Sequence, residues 1–145
     1  MFYEEVEVGK TYMSNIKKPI TGSELDLVAQ LSGLDAPGFL YPEFAKSLGY
    51  KDRPAPGFYI LGVMEGLLYK GGFLADALVW AGSNNLSFKA PVFSGDMLSA
   101  EATVVSKKLK ERWGPVTYNW TVKNQKDEVV ATGTNTCMFA LKPSG

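Results

Sequence analysis

The chain has 145 residues, 46% of them hydrophobic, and its fifteen basic side chains are balanced by fifteen acidic ones. One domain spanning residues 1–145 with its own core is expected, and a neutral chain exerts no long-range pull on nucleic acid or anionic lipid. There is no histidine and only one cysteine, which excludes Ser-His-Asp, Cys-His and Asp-His mechanisms, most zinc sites and any internal disulfide.

The start, Met1-Phe2-Tyr3-Glu4-Glu5, carries neither a basic region nor an apolar stretch for export. No apolar run reaches the roughly 18 residues of a membrane span, so a soluble cytoplasmic protein is expected. An irregular β segment leads to a helix at Thr21. Thr21 followed by Glu24 reads as a capping box, in which hydroxyl and carboxylate each take a free backbone N–H. Leu25, Val28, Ala29 and Leu31 give the apolar stripe, and Gly33 ends the helix. Leu34 to Tyr41 reads as a loop. Pro42 opens a short helix through Glu43, Phe44 and Ala45 that stops by Gly49.

Pro54 and Pro56 hold the next segment extended. Phe58 to Leu68 is apolar nearly all round, the signature of a helix buried on every side. Gly62 and Gly66 leave one of its faces without side chains, and that face is expected to lie close to a sheet. Strands follow at Ala77 to Ala90, Met97 to Leu109, Pro115 to Lys123 and Glu128 to Leu141. The last two are joined by a turn at Asn124 to Asp127. Cys137, in an alternating apolar run, reads as a small buried residue. This order predicts an α+β fold, a single hot-dog domain with a long buried central helix wrapped by an antiparallel sheet. A lone sheet leaves an edge unpaired, so a homodimer is expected, joined through the strand Ala77 to Ala90 with the central helices side by side.

Four segments in order resemble the MaoC-like family of hydratases and dehydratases, similar to R-specific enoyl-CoA hydratases, over almost the whole chain. They are Phe2 to Gly9, Thr21 to Gly33, Phe88-Lys89-Ala90-Pro91-Val92-Phe93-Ser94-Gly95-Asp96-Met97-Leu98, and Asn124 to Val130. The third is the strongest, matching Phe-x-x-Pro-Val-x-x-Gly-Asp at a turn between two strands. The resemblance implies a hot dog that binds acyl chains carried as thioesters of coenzyme A or of a carrier protein, with no covalent cofactor; the absence of histidine and the single cysteine make a metal unexpected. It also implies a dimer with acyl sites at the subunit boundary.

The family's catalytic motif reads Ser-Gly-Asp-x-Asn-Pro-x-His. This chain has Ser32-Gly33-Leu34-Asp35-Ala36-Pro37-Gly38-Phe39, so Leu34 and Phe39 stand where the catalytic Asp and His belong. At the mouth of the central helix the family's His-Gly is replaced by Pro56-Gly57. The expectation is therefore an acyl-thioester-binding protein with a degenerate site, which can serve as the non-catalytic half of a heterodimer with a catalytic hot-dog subunit. The alternative is an active hydratase, dehydratase or acyl-CoA thioesterase with Asp35 or Glu65 as its catalytic carboxylate. Asp35 is offset by one residue from the motif, and its other reading is a solvated loop residue. Glu65 resembles the acidic residue two turns into the helix of 4-hydroxybenzoyl-CoA thioesterases; its other reading is a side chain at the helix's solvent or dimer edge.

For ligand binding, Phe39, Pro56 and Gly57 gather at the mouth of the helix, where free N–H groups can polarise a thioester carbonyl. Tyr41 and Tyr59 offer hydroxyls to a ligand carbonyl, or pack at the core or rim. Asn84, within Ser83-Asn84-Asn85, lines a polar pocket or marks a bulge or dimer contact. Lys51 and Arg53 either meet the phosphates of a pantetheine-linked ligand or lie in a solvated loop.

Overall fold

Residues 1–144 are described by a computed structural model. After a 3-10 turn at Tyr3–Glu5 come β1 (Thr11–Met13) and β2 (Lys18–Pro19), then α1 (Gly22–Ser32), α2 (Pro37–Leu40), α3 (Pro42–Ser47) and α4 (Gly57–Lys70). The second half is β3 (Ala77–Phe88), β4 (Met97–Lys107), β5 (Gly114–Lys123) and β6 (Val129–Phe139). The strands form one antiparallel sheet in the order β1-β4-β5-β6-β3, with β2 beside β4. With α4 laid across its concave side, this is the hot-dog arrangement that the sequence predicts. Among the described residues no helix is long and apolar enough to cross a membrane.

Strand alternation builds the core. Ala100, Ala102 and Val104 of β4 point inward, as do Val116, Tyr118, Trp120 and Val122 of β5. The two alanines keep the floor low where α4 crosses β4, while Trp120 fills the space over β6, opposite Gly133. Cys137 is buried, and its sulfur lies 3.2 Å from the Tyr118 hydroxyl.

The segment joining β3 to β4 ties the sheet to the start of α4. Gly95 takes φ +94°, which glycine adopts without steric cost. Asp96 is buried; its carboxylate accepts from the Phe93 N–H at 2.8 Å and from the Gln125 amide at 2.9 Å. Val92 O accepts the Ala55 N–H at 2.7 Å, and Pro54 bridges to Phe93. The extended Pro54-Ala55-Pro56 run is thus fastened to this turn, which aims α4 across the sheet.

Three expectations are corrected. The stretch from Leu34 to Tyr41 is not all loop, because Pro37 opens the single helical turn α2. The capping box at Thr21 is half formed. Thr21 Oγ1 accepts the Glu24 N–H at 3.3 Å, but the Glu24 carboxylate turns to side-chain donors instead of the backbone. Finally, α4 is not buried on every side. Ile60, Val63, Met64, Leu67 and Leu68 face the sheet, and at 3.6 residues per turn Gly62 and Gly66 fall on the opposite face. A Cβ built on either glycine meets nothing within 4 Å. The glycines therefore do not press against the sheet; they leave a bare track on the outside of the helix, between exposed Phe58 and Tyr69.

Candidate functional site

The start of α4 carries the best-formed site. Pro56 is its buried N-cap, with extended backbone and no side-chain acceptor, so the N–H groups of Gly57 and Phe58 find no acceptor among the described residues. Phe88, at the end of β3, lays its ring on Gly57; a Cβ there would stand 2.6 Å from the ring's Cζ. Phe39 arrives from α2. Its position is set by Arg53, whose guanidinium is ion-paired with Asp26 and donates to Phe39 O, Leu40 O and Gly22 O, each at 3.4 Å. Arg53 thus holds α1 and α2 together, and is neither a solvated loop residue nor aimed at a ligand's phosphates. Lys51 lies over the Phe93 ring, 4.8 Å from its centroid.

These parts enclose an open cavity of about 410 Å³ lined by Phe39, Tyr50, Gly57, Ile60, Phe88 and Lys89, with Pro54, Ala55 and Ala90 to Val92. No carboxylate is in the lining. What the site offers chemically is two outward N–H groups at a helix start, an apolar wall and one lysine at the rim. That suits holding a carbonyl or an anion; its lining contains neither a carboxylate nor an imidazole.

The other residues singled out from the sequence are dispersed. Asp35 is exposed on the short α1–α2 connection, and Tyr41 is exposed at the start of α3. Glu65 is half-buried and lines a separate cavity of about 340 Å³, beside Gly62, Gly66, Trp80 and Cys137. Asn84 is exposed on β3, opposite Thr134, at a shift in register next to Asn85, whose φ is +56°. Ser83 and Asn84 keep the ladder, opposite Asn135 and Thr134, and the bulge on this edge strand follows them at Asn85 and Leu86. Among the described residues no three Cys, Asp or Glu side chains are grouped to hold a metal ion.

Tyr59 belongs to a cluster that sequence reasoning missed. Glu24 accepts from the Tyr59 hydroxyl at 2.8 Å and from Thr21 Oγ1 at 2.9 Å, and is ion-paired with Lys18. The Lys18 ammonium, with the two hydroxyls, holds the Glu24 carboxyl down at about 2. Burial, and then the Glu24 carboxylate, push the Tyr59 phenol up. In the sequence Glu24 carries only a capping signal, and nothing local announces a partner 35 residues away.

The pH dependence follows from the sign of the Glu24 shift. Its folded value of about 2 lies below the ordinary 4.5, so on acidification the unfolded chain takes up the proton first. The stabilisation is complete above pH 4.5 and lost as pH falls towards 2. Glu24 is about one-third exposed, so the contribution should be about 1 kcal/mol or less. In urea titrations across that window, Glu24→Gln should lose stability less steeply than the parent chain. Identical acid limbs would assign no such role to this carboxylate.

Comparison with known proteins places these features. A family model described as MaoC like domain matches residues 5–130. The 3-hydroxybutyryl-CoA dehydratase of Methylorubrum extorquens is 31% identical over 104 residues, 72% of this chain but only 64% of that enzyme's length. Among solved structures, the MaoC-like dehydratase from Rhodospirillum rubrum superposes with a TM-score of 0.87 at 25% identity, covering 99% of both chains. The (R)-hydratase from A. caviae superposes with a TM-score of 0.76 at 28% identity, covering 94% of this chain and 98% of that one.

Proposed function

The chain belongs to the MaoC-like domain family, and from that premise we propose that it binds acyl thioesters, of coenzyme A or of an acyl carrier, without hydrating them. The observation that carries this reading is the lining of the cavity at Gly57, which holds no carboxylate and, in a chain without histidine, no imidazole. Adding water across an enoyl double bond requires a group that removes a proton from the water and one that returns a proton to carbon. Each such group contributes typically 10²–10⁴-fold. Phe39 offers a hydrocarbon ring where that chemistry would need one of them. The binding half of the task is still provided for, since the Gly57 and Phe58 N–H groups can receive the thioester oxygen against an apolar wall.

Calorimetric titration with butyryl-CoA and longer acyl-CoA ligands should show binding. Crotonyl-CoA and longer enoyl-CoA substrates should show no hydration above the uncatalysed rate. Turnover at ordinary enzyme rates, about 1–10³ s⁻¹, would overturn the proposal.

A second reading rests on Glu65, a half-buried carboxylate in its own cavity, as the acid or base of an acyl-CoA thioesterase. Acyl-CoA hydrolysis that falls at least about 10²-fold in Glu65→Gln would favour it.

The assembly belongs to the same proposal. β3 is an edge strand with exposed Leu78, Val79 and Leu86, and the bare track on α4 lies on the same side, joined to β3 by the Glu65 cavity. A second copy related by a two-fold axis would cover edge and track together. A catalytic hot-dog subunit could take the same place, with this chain supplying pocket walls to a site that keeps its acid and base.

A further inference from the structure

Across Phe39 from the cavity at the start of α4 lies a second space. Phe39, Tyr50 and Pro54 also line this second cavity, of about 310 Å³, which runs between α2 and α3 to Gly38, Phe44 and Leu48. No charged residue lines this second space. In the first, the only charged residue is Lys89, exposed at the rim. The two lie side by side across Phe39, Tyr50 and Pro54, one with a cationic rim and hydrogen-bond donors at Gly57, the other apolar. Phe44, Leu48 and Tyr50 are all exposed around the second. Apolar side chains exposed around a groove of this kind gain by being covered. A flexible hydrocarbon chain fills it and covers the three side chains at once.

We infer that the ligand is a straight acyl chain longer than butyryl, whose distal methylenes pass Phe39 and Tyr50 and lie between α2 and α3. This rests on the acyl-thioester reading and adds the chain class and its path. The thioester oxygen sits at the Gly57 N–H groups and the anionic carrier faces Lys89. Phe39 is then part of the tail's wall, which gives this side chain a positive use.

Butyryl-CoA, octanoyl-CoA and dodecanoyl-CoA are the probes. Burying a methylene contributes about 0.8 kcal/mol, about 4-fold in affinity. Octanoyl-CoA should therefore bind at least about 30-fold more tightly than butyryl-CoA, allowing for imperfect burial. Gly38→Leu blocks the second cavity. A Cβ there meets Leu48 Cδ1 at 3.6 Å and Phe44 Cδ1 at 4.0 Å, ordinary contact distances, and the rest of the leucine fills the space. Dodecanoyl-CoA should lose at least about 10-fold in Gly38→Leu while butyryl-CoA stays within about 2-fold. Leu48→Glu, at an exposed position, should act in the same direction by placing a charge beside the tail. Equal affinity for all three ligands in the parent chain would overturn the inference while leaving the binding proposal standing. So would equal losses for short and long chains in both variants. Absence of binding by any of the three would overturn both.

Discussion

Replacing Gly62 with leucine is expected to turn the proposed homodimer into a folded monomer. In the single chain a Cβ on Gly62 or Gly66 reaches nothing within 4 Å, so the new side chain has room. Leucine also favours the helix over glycine by roughly 0.5–1 kcal/mol, and the monomer should melt slightly higher. In the dimer the effect reverses. Two antiparallel copies of α4 whose axis passes near Met64 set Gly62 of one copy opposite Gly66 of the other, with Phe58 and Tyr69 closing the ends of the track. Without side chains the two helices approach closely; each inserted leucine overpacks that contact by typically 1–3 kcal/mol. Two insertions per dimer amount to about 2–6 kcal/mol, or roughly 30-fold to more than 10⁴-fold in dissociation constant. Light scattering at micromolar concentration should give twice 15.8 kDa for the parent and 15.8 kDa for the variant. A parent chain already running at the single mass ends the dimer proposal, and a variant that stays dimeric moves the contact off this face.

Trp120→Ala should cost about 4–8 kcal/mol, a large part of the roughly 5–15 kcal/mol that holds a domain of this size together. Trp120 is 1% exposed, the largest of the fully buried side chains. Truncating such a residue to alanine costs about 3–5 kcal/mol through lost burial and the cavity left behind. Its indole N–H also donates to Asn135 Oδ1 at 3.0 Å, and Asn135 is itself buried, so removing the ring strands a polar group. That adds about 1–3 kcal/mol. Trp120→Phe isolates part of this effect, since it keeps most of the ring volume and orphans Asn135. Gly133→Ala attacks the same contact from the other strand, with a Cβ 2.5 Å from Trp120 Cζ2, and the buried indole has nowhere to retreat. Urea denaturation of the three variants should rank Trp120→Ala as the least stable. A Trp120→Ala midpoint close to that of the parent would mean that the sheet closes over this space without the indole.

The sequence by itself determined the features set by neighbours a few residues apart. Thr21 and Gly33 bound α1, alternation along Val116 to Val122 makes a half-buried strand, and the Asn124 to Asp127 turn joins β5 to β6. The strand order helix-then-sheet, the exposed edge at β3 and the helix start at Gly57 were legible for the same reason. So was the lack of histidine, which bears on mechanism before any atom is placed. Only the tertiary structure decided what depends on contacts across the chain. An apolar run from Phe58 to Leu68 has no phase of its own; the sheet beneath it chose which residues to bury and left Gly62 and Gly66 outside. Glu24 found Lys18 and Tyr59, Arg53 gathered the carbonyls of Phe39 and Leu40, and Phe88 came to rest on Gly57. The same packing sent Asp35, Tyr41, Glu65 and Asn84 to separate places. Spacing along a chain specifies periodicity and caps, which are local; side chains tens of residues apart meet only where the burial of apolar surface brings their elements together.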